Sequence, residues 1–469
     1  MPSDLWKKDF SGRVKFVRDL TVSDIEQCLP IARRVRSLYV DRHNDPLDEG
    51  VYSKLLALTP HAAVFPDLVS LSWTDRDPVY LPLFLSSVMQ TVTISFGVYN
   101  TTSSALNSLT ELVKRCPILE TVHFLGPSAR RIADDPHFLN VLTLLRNVRE
   151  FTCFVNSIPP EFWLALASWP KLRKLTLVSH VESNRPPILP SVPSPDGSDD
   201  VLRPSFECLT HLNLTMYGTI PPAALKQYGL LANLQSLVIN LPDDTKATLI
   251  EDWLRHVCQY CSPRRLTHIS VNPAYRWQQP LPPYEDGYTL EREVLKGLSI
   301  FSRLKMLDIT IKCSASLDDA SLEELAMNWP HLQRLNVGVQ SGSIKDLHVT
   351  ARGVVALLRL CPDLNSLGLV FHAGQIGHGP QSRPGAGICN EKITTIDVGN
   401  SPIKYPLDVA EFLSDVLPNV REVKTVYRLP LVWSSAAQMQ QKLWKEVERL
   451  VPRFAKVRRQ ERSHCGCSV

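Results

Sequence analysis

The sequence predicts an α/β solenoid, a stack of parallel strands and helices repeated about fourteen times. Three observations predict it. A short phrase built around proline recurs along the chain, each copy runs into alternating apolar residues, and most intervals between copies are patterned as one helix. Proline outnumbers glycine, 36 to 20, the reverse of ordinary usage. Something in the fold places proline repeatedly.

The phrase is an aromatic residue or Cys, then Pro, any residue and Leu. It stands at Phe65-Pro66-Asp67-Leu68, Cys116-Pro117-Ile118-Leu119, Trp169-Pro170-Lys171-Leu172, Trp329-Pro330-His331-Leu332 and Cys361-Pro362-Asp363-Leu364, with Leu417-Pro418-Asn419-Val420 as a variant. The apolar continuation without proline begins at Val35, Met89, Val148, Leu209, Leu234, Leu266, Leu304 and Ile393. The fourteen copies lie 21 to 38 residues apart, about 30 on average. A leucine phrase L-x-x-L-x-L at such a period is the signature of a leucine-rich repeat. Alternation after each copy is a strand with one buried face.

Helical stretches fill the intervals at 104–116, 138–147, 160–169, 222–231, 245–260, 289–301, 319–329, 350–361 and 408–417. Strand–helix alternation with short connections calls for parallel strands and right-handed crossovers. The expected architecture is a horseshoe of the ribonuclease-inhibitor kind, strands concave and helices convex. Proline belongs just past each helix, which it cannot continue. Terminal repeats need covers. Residues 1–34 would close one end of the array at 35–433. Met439, Leu443, Val447, Leu450, Phe454 and Val457, spaced three and four apart, make 434–463 a capping helix, leaving 464–469 as a tail.

Three insertions interrupt the rhythm. Residues 183–204 are rich in proline and have the composition of a disordered loop. Residues 272–288 carry Tyr275, Trp277, Tyr284 and Tyr288 among four prolines, and residues 372–387 carry five glycines. The aromatic loop is the contact candidate, because aromatics anchor protein partners. Solvent-rim insertions are also simply tolerated.

Composition excludes several classes of function. Lys+Arg 51 against Asp+Glu 47 gives +4 on 469 residues, no footprint for a duplex-binding protein. No apolar run reaches the ~18 residues of a membrane span, and residues 1–20 are too charged for a signal peptide. Eleven cysteines, an odd number set in apolar contexts, fit reduced thiols and a cytoplasmic or nuclear location. No phosphate loop, dinucleotide fingerprint, nucleophile elbow or zincin helix is present, so neither an enzyme nor a cofactor is expected. Cys258 and Cys261 have metal-like spacing but lie in an amphipathic helical pattern; a structural zinc needs four ligands, and no site is assigned. The basic run Arg453, Lys456, Arg458, Arg459 and Arg462 fits a solvated helix face, an import signal or a patch for an acidic partner.

The Cys-Pro-x-Leu repeats resemble those of F-box proteins. The opening, with Asp4-Leu5-Trp6, Phe16-Val17-Arg18-Asp19-Leu20-Thr21, Ser23-Asp24 and Ala32-Arg33-Arg34-Val35-Arg36-Ser37-Leu38, is similar to the region after the F-box in fungal, mushroom-type F-box/leucine-rich-repeat proteins. The resemblance covers nearly the whole chain. It implies the substrate-receptor part of an SCF-type ubiquitin ligase. An F-box would stand before Asp4, where only Met1-Pro2-Ser3 occur, and residues 1–34 are too short and charged to supply it. The SCF adaptor is therefore an expected partner only if an F-box lies upstream. The alternative is a non-degradative scaffold or inhibitor.

Alternation also marks the face that would meet a ligand, since the residues between the leucines point away from the core. His211, Asn213, His268, Ser270, Asn272, Asp308, Arg334 and Asn336 fall there, with Tyr275 and Trp277 on the rim. Hydroxyl, amide and imidazole groups of this kind hydrogen-bond a polypeptide. The expectation is a protein ligand held between His211, His268 and the aromatic loop, with neither membrane nor nucleic acid involved.

Overall fold

The computed structural model describes residues 4–10, 12–42, 47–59, 62–98, 100–156, 158–179, 206–216, 231–274, 287–340, 347–376, 385, 387–426 and 435–464. Insertion 183–204 lies outside them, as do Tyr275, Trp277 and most of insertion 372–387. Two compact units divide the chain, the described parts running from 4 to 216 and from 231 to 464.

In the first unit, hairpin strands β1 (Trp6–Lys8) and β2 (Val14–Phe16) pair antiparallel and lead into helix α1 (Val22–Ala32). Seven strands then pair in parallel, each with the next: β3 (Ser37–Asp41), β4 (Ser70–Thr74), β5 (Thr91–Ser95), β6 (Thr121–Leu125), β7 (Glu150–Val155), β8 (Lys174–Ser179) and β9 (His211–Thr215). Between them lie α2 (Glu49–Leu58), α3 (Thr102–Arg115), α4 (Pro127–Ala133), α5 (Pro136–Leu144) and α6 (Pro160–Ala167).

The second unit repeats the plan. Its ladder is β10 (Ser236–Leu241), β11 (His268–Pro273), β13 (Met306–Ile309), β15 (Arg334–Val337), β16 (Ser366–Leu369), β17 (Thr395–Asp397) and β18 (Glu422–Lys424), all parallel. The small strands β12 (Thr289–Leu290) and β14 (Ser314–Ala315) form a separate pair. Helices α7 (Ala247–Tyr260), α8 (Arg292–Gly297), α9 (Asp319–Asn328), α10 (Ala351–Leu360), α11 (Pro406–Val416) and α12 (Ser435–His464) complete it. The leucine-rich-repeat fold is thus built as expected. Each of the fourteen ladder strands starts two residues after the first apolar position of its phrase, from Val35 and Ser37 to Val420 and Glu422.

The proline phrase has a physical cause. Cys116, Trp329, Cys361 and Leu417 close their helices with φ between −117° and −134° and ψ between 57° and 72°. A residue before proline is pushed out of the helical region, so the helix stops there. A tight turn follows: Leu332 N–H donates to Trp329 O at 3.0 Å, Leu364 to Cys361 at 3.1 Å and Val420 to Leu417 at 3.2 Å. Proline takes the second turn position, where its fixed φ fits. The three apolar positions of the phrase are then buried, as Leu172, Leu175 and Leu177 show.

The shortest interval, between β4 and β5, for which the sequence reading gives no helix, holds only a 3-10 segment, Pro78–Phe84, because 21 residues leave no room for a full helix. Other intervals differ from that reading: α2 stands between β3 and β4, where it gives none, and α4 precedes α5 where it gives one. The stretch 289–301 is not one helix but β12, α8 and a 3-10 turn, Leu298–Ile300, with the Thr289 hydroxyl 2.7 Å from that of Ser314. Insertion 272–288 begins late, since Asn272 and Pro273 still pair with Asn240 and Leu241.

Candidate functional site

Burial alternates along most strands, and the residues between the buried leucines form a polar face in each unit; in the second unit that face is partly sunk, with Ser270 and Asp308 themselves buried. In the first unit, His211 and Asn213 stand on β9 in register with Lys174 and Thr176 of β8. Thr210 fixes the His211 ring: its hydroxyl lies 3.2 Å from Arg173 O and 2.9 Å from His211 Nδ1. One hydroxyl proton cannot serve both, so with the carbonyl as its acceptor the ring donates from Nδ1. In the neutral ring Nε2 is then an acceptor. Burial, with Lys174 nearby, lowers the His211 pKa and favours that neutral form.

In the second unit the same device recurs at Thr267, whose hydroxyl is 2.9 Å from Gln235 O and 2.7 Å from His268 Nδ1. His268, Ser270 and Asn272 occupy β11. Ser270 is in register with Asp308 of β13, Asn336 of β15 and Gly368 of β16. Their side chains are bonded across the strands. Asn272 Oδ1 accepts from Ser270 Oγ at 3.1 Å and Thr310 Oγ1 at 2.9 Å, while its Nδ2 donates to Asn240 at 3.3 Å. Asn336 Nδ2 donates to Asp308 Oδ1 at 2.7 Å, and Arg334 lies 3.6 Å from the other oxygen.

Asp308 is only 7% exposed. Burial raises its pKa, and Asn336, Arg334 and the charge of His268 offset this only in part. Gly368 leaves space beside the carboxylate: a Cβ there would come 2.0 Å from Asn336 Oδ1, so any larger residue would displace the amide that orients Asp308.

Eight of the ten residues singled out from the sequence therefore stand on the polar strand faces, His211 and Asn213 in one unit and His268, Ser270, Asn272, Asp308, Arg334 and Asn336 in the other, with Ser270 and Asp308 buried within the face. Tyr275 and Trp277 lie outside the described residues. Sequence reasoning missed Gly368 and the orienting hydroxyls of Thr210 and Thr267. The glycine had a signal, since in Leu367-Gly368-Leu369 it takes the place where other repeats carry a polar side chain.

The buried cysteines offer no nucleophile: burial pushes the Cys116, Cys313 and Cys361 thiols up to about 12. Cys258 and Cys261, at about 11 and about 12, sit at the end of α7. Among the described residues no group of three His, Cys, Asp or Glu could hold a metal ion, and no helix is long and apolar enough to cross a membrane.

No protein-family model matches the chain, and no curated protein matches it. Among solved structures it is similar to one from the yeast Rad7 and Elc1 complex, at 16% identity and a TM-score of 0.43 over 79% of this chain and 78% of that one. It is also similar to an internalin from Listeria monocytogenes, at 14% identity and 0.39 over 80% and 94%.

Proposed function

We propose that this chain is a protein-interaction module whose polar strand faces hold a polypeptide. The observation that supports this most directly is the pair of cross-strand sets, Asn240–Asn272–Thr310 and Asp308–Asn336, the second built on a buried carboxylate. A solvated face needs polarity but not a buried charge, which costs stability. The resemblance of the opening residues to mushroom-type F-box proteins extends the proposal to a substrate receptor of an SCF-type ubiquitin ligase. The runner-up is a scaffold or inhibitor of the same fold without ligase docking.

Affinity purification with mass spectrometry, comparing wild type with Asp308→Asn and Asn336→Ala, tests the first part. Partners bound through the face should be lost from both variants while each melts as a folded protein. Retention of every partner would place binding elsewhere. Substrate-receptor function further requires that the SCF adaptor co-purify once an F-box is supplied ahead of Asp4; failure then would leave the scaffold reading.

A further inference from the structure

Helix α12 packs on its unit through Trp444, Val447, Val451 and Ala455, all buried. That choice of seam leaves a second apolar row at the edge. Leu443 and Leu450 are half-buried, Val457 is 50% exposed, and Met439, four residues before Leu443, is 57% exposed. Leu443, Leu450 and Val457 are seven residues apart, the repeat that keeps side chains on one side of a helix. Each is preceded by a cation: Lys442, Arg449 and Lys456, also seven apart and all exposed. Lys445 and Arg453, also exposed, lie on the same side. None of these five has an acidic partner within 4.0 Å among the described residues. Of the three acids on the helix, Glu448 accepts from Val423 N–H at 2.8 Å, Glu446 is half-buried on the cation side but pairs with none of these five, and Glu461 lies five residues beyond Lys456.

We infer that this side of α12 docks an acidic amphipathic helix. An apolar row one side chain wide, flanked by a cation at every seventh residue, is half of a heptad interface; its complement is a helix with leucines on its seam and carboxylates at the flanking positions. From Lys442 to Lys456 the cations span about 21 Å, three heptads of partner at ~1.5 Å per residue covering the whole row. A bilayer would need the broad apolar face, and that face is used against the repeat. A nucleic-acid strand would need the cations but not Met439, Leu443, Leu450 and Val457 beside them. Charge and shape together select the helix.

The probe is a labelled 21-residue peptide of three heptads with leucine on the seam and glutamate at the flanking positions, titrated with the full chain by fluorescence anisotropy. Binding should weaken severalfold between low and high salt, as exposed ion pairs require. Replacing Lys442, Arg449 and Lys456 together by Glu should weaken it at least tenfold, the milder triple change to Gln less, and Leu450→Asn should weaken it without changing the salt dependence. The three cations are exposed, so melting should be unchanged in the charge variants; the Gln variant keeps the test valid should the Glu variant misfold. Equal binding of a peptide with lysine in place of glutamate, or undiminished binding by both charge variants, overturns the inference. So does tighter binding of phosphatidylserine vesicles or of a 20-base-pair duplex through the same cations.

Discussion

Asp308 carries the sharpest consequence of a single side chain. Its pKa is raised in the folded protein, so folding favours the neutral acid. The stability tied to that preference is present below the ordinary carboxylate range and is lost as pH rises through the raised value. At neutral pH the charge is a cost, and a neutral isostere removes it. Asp308→Asn should therefore melt at or above the wild-type temperature at pH 7, with the advantage fading towards about pH 4, while binding through the face falls. A variant melting several degrees below wild type at pH 7 would show the carboxylate to be structural. Gly368→Ala tests the neighbouring amide: crowding Asn336 should cost about 1–3 kcal/mol in chemical denaturation and weaken the same binding. Alternation in the sequence was enough to put Ser270, Asn272, Asp308 and Asn336 on one face, because strand periodicity is local. That Asp308 is buried and Gly368 must be small depends on strands about thirty residues apart, which local periodicity does not reach.

At the level of an element, the turn and the last helix show where pattern suffices and where it does not. The Pro-x-Leu turn is legible because its cause is local. Proline bars the helix at the residue before it, and the hydrogen bond from Leu364 to Cys361 closes four residues. Pro362→Ala should cost about 0.4–1 kcal/mol, mostly by freeing the unfolded chain, without changing the fold. In α12 the pattern permitted two seams. Spacing favours Leu443, Val447, Leu450 and Phe454, of which only Val447 is fully buried; the seam it joins is Trp444, Val451 and Ala455. The tryptophan decides. Its ring meets Phe371 edge-on at 6.2 Å between centroids, and its N–H donates to Ser401 O at 2.9 Å. No leucine offers both the area and the donor. Trp444→Ala should accordingly cost about 3–5 kcal/mol by denaturant unfolding, and Leu443→Ala far less. Equal losses would mean that the helix packs through its other row.

For the molecule as a whole, the decisive question is what ends the parallel ladder. A repeat array buries each strand against the next, so its last member keeps an exposed edge and an uncovered apolar layer. The second unit ends on β18, and α12 covers it. Glu448 takes the edge N–H of Val423, Gln440 bonds both N–H and O of Ile403 at 2.8 and 3.1 Å, and Arg458 reaches Ser414, Glu411 and Asp415 of α11. Removing 435–469 would strip all of these at once and uncover the apolar surface under Trp444, Val447 and Val451. Edge strands left open pair with other chains. The shortened protein should therefore elute in size-exclusion chromatography as aggregates or soluble oligomers that grow with concentration, and its melting should begin at lower temperature. Glu448→Gln in the full chain isolates the edge contact. It keeps an acceptor for Val423 and should leave the protein monomeric, whereas Glu448→Ala, which leaves that N–H open, should lower the melting temperature. A truncated chain that stays monomeric and melts like the full protein would mean that β18 needs no cover and that α12 serves only as a docking surface.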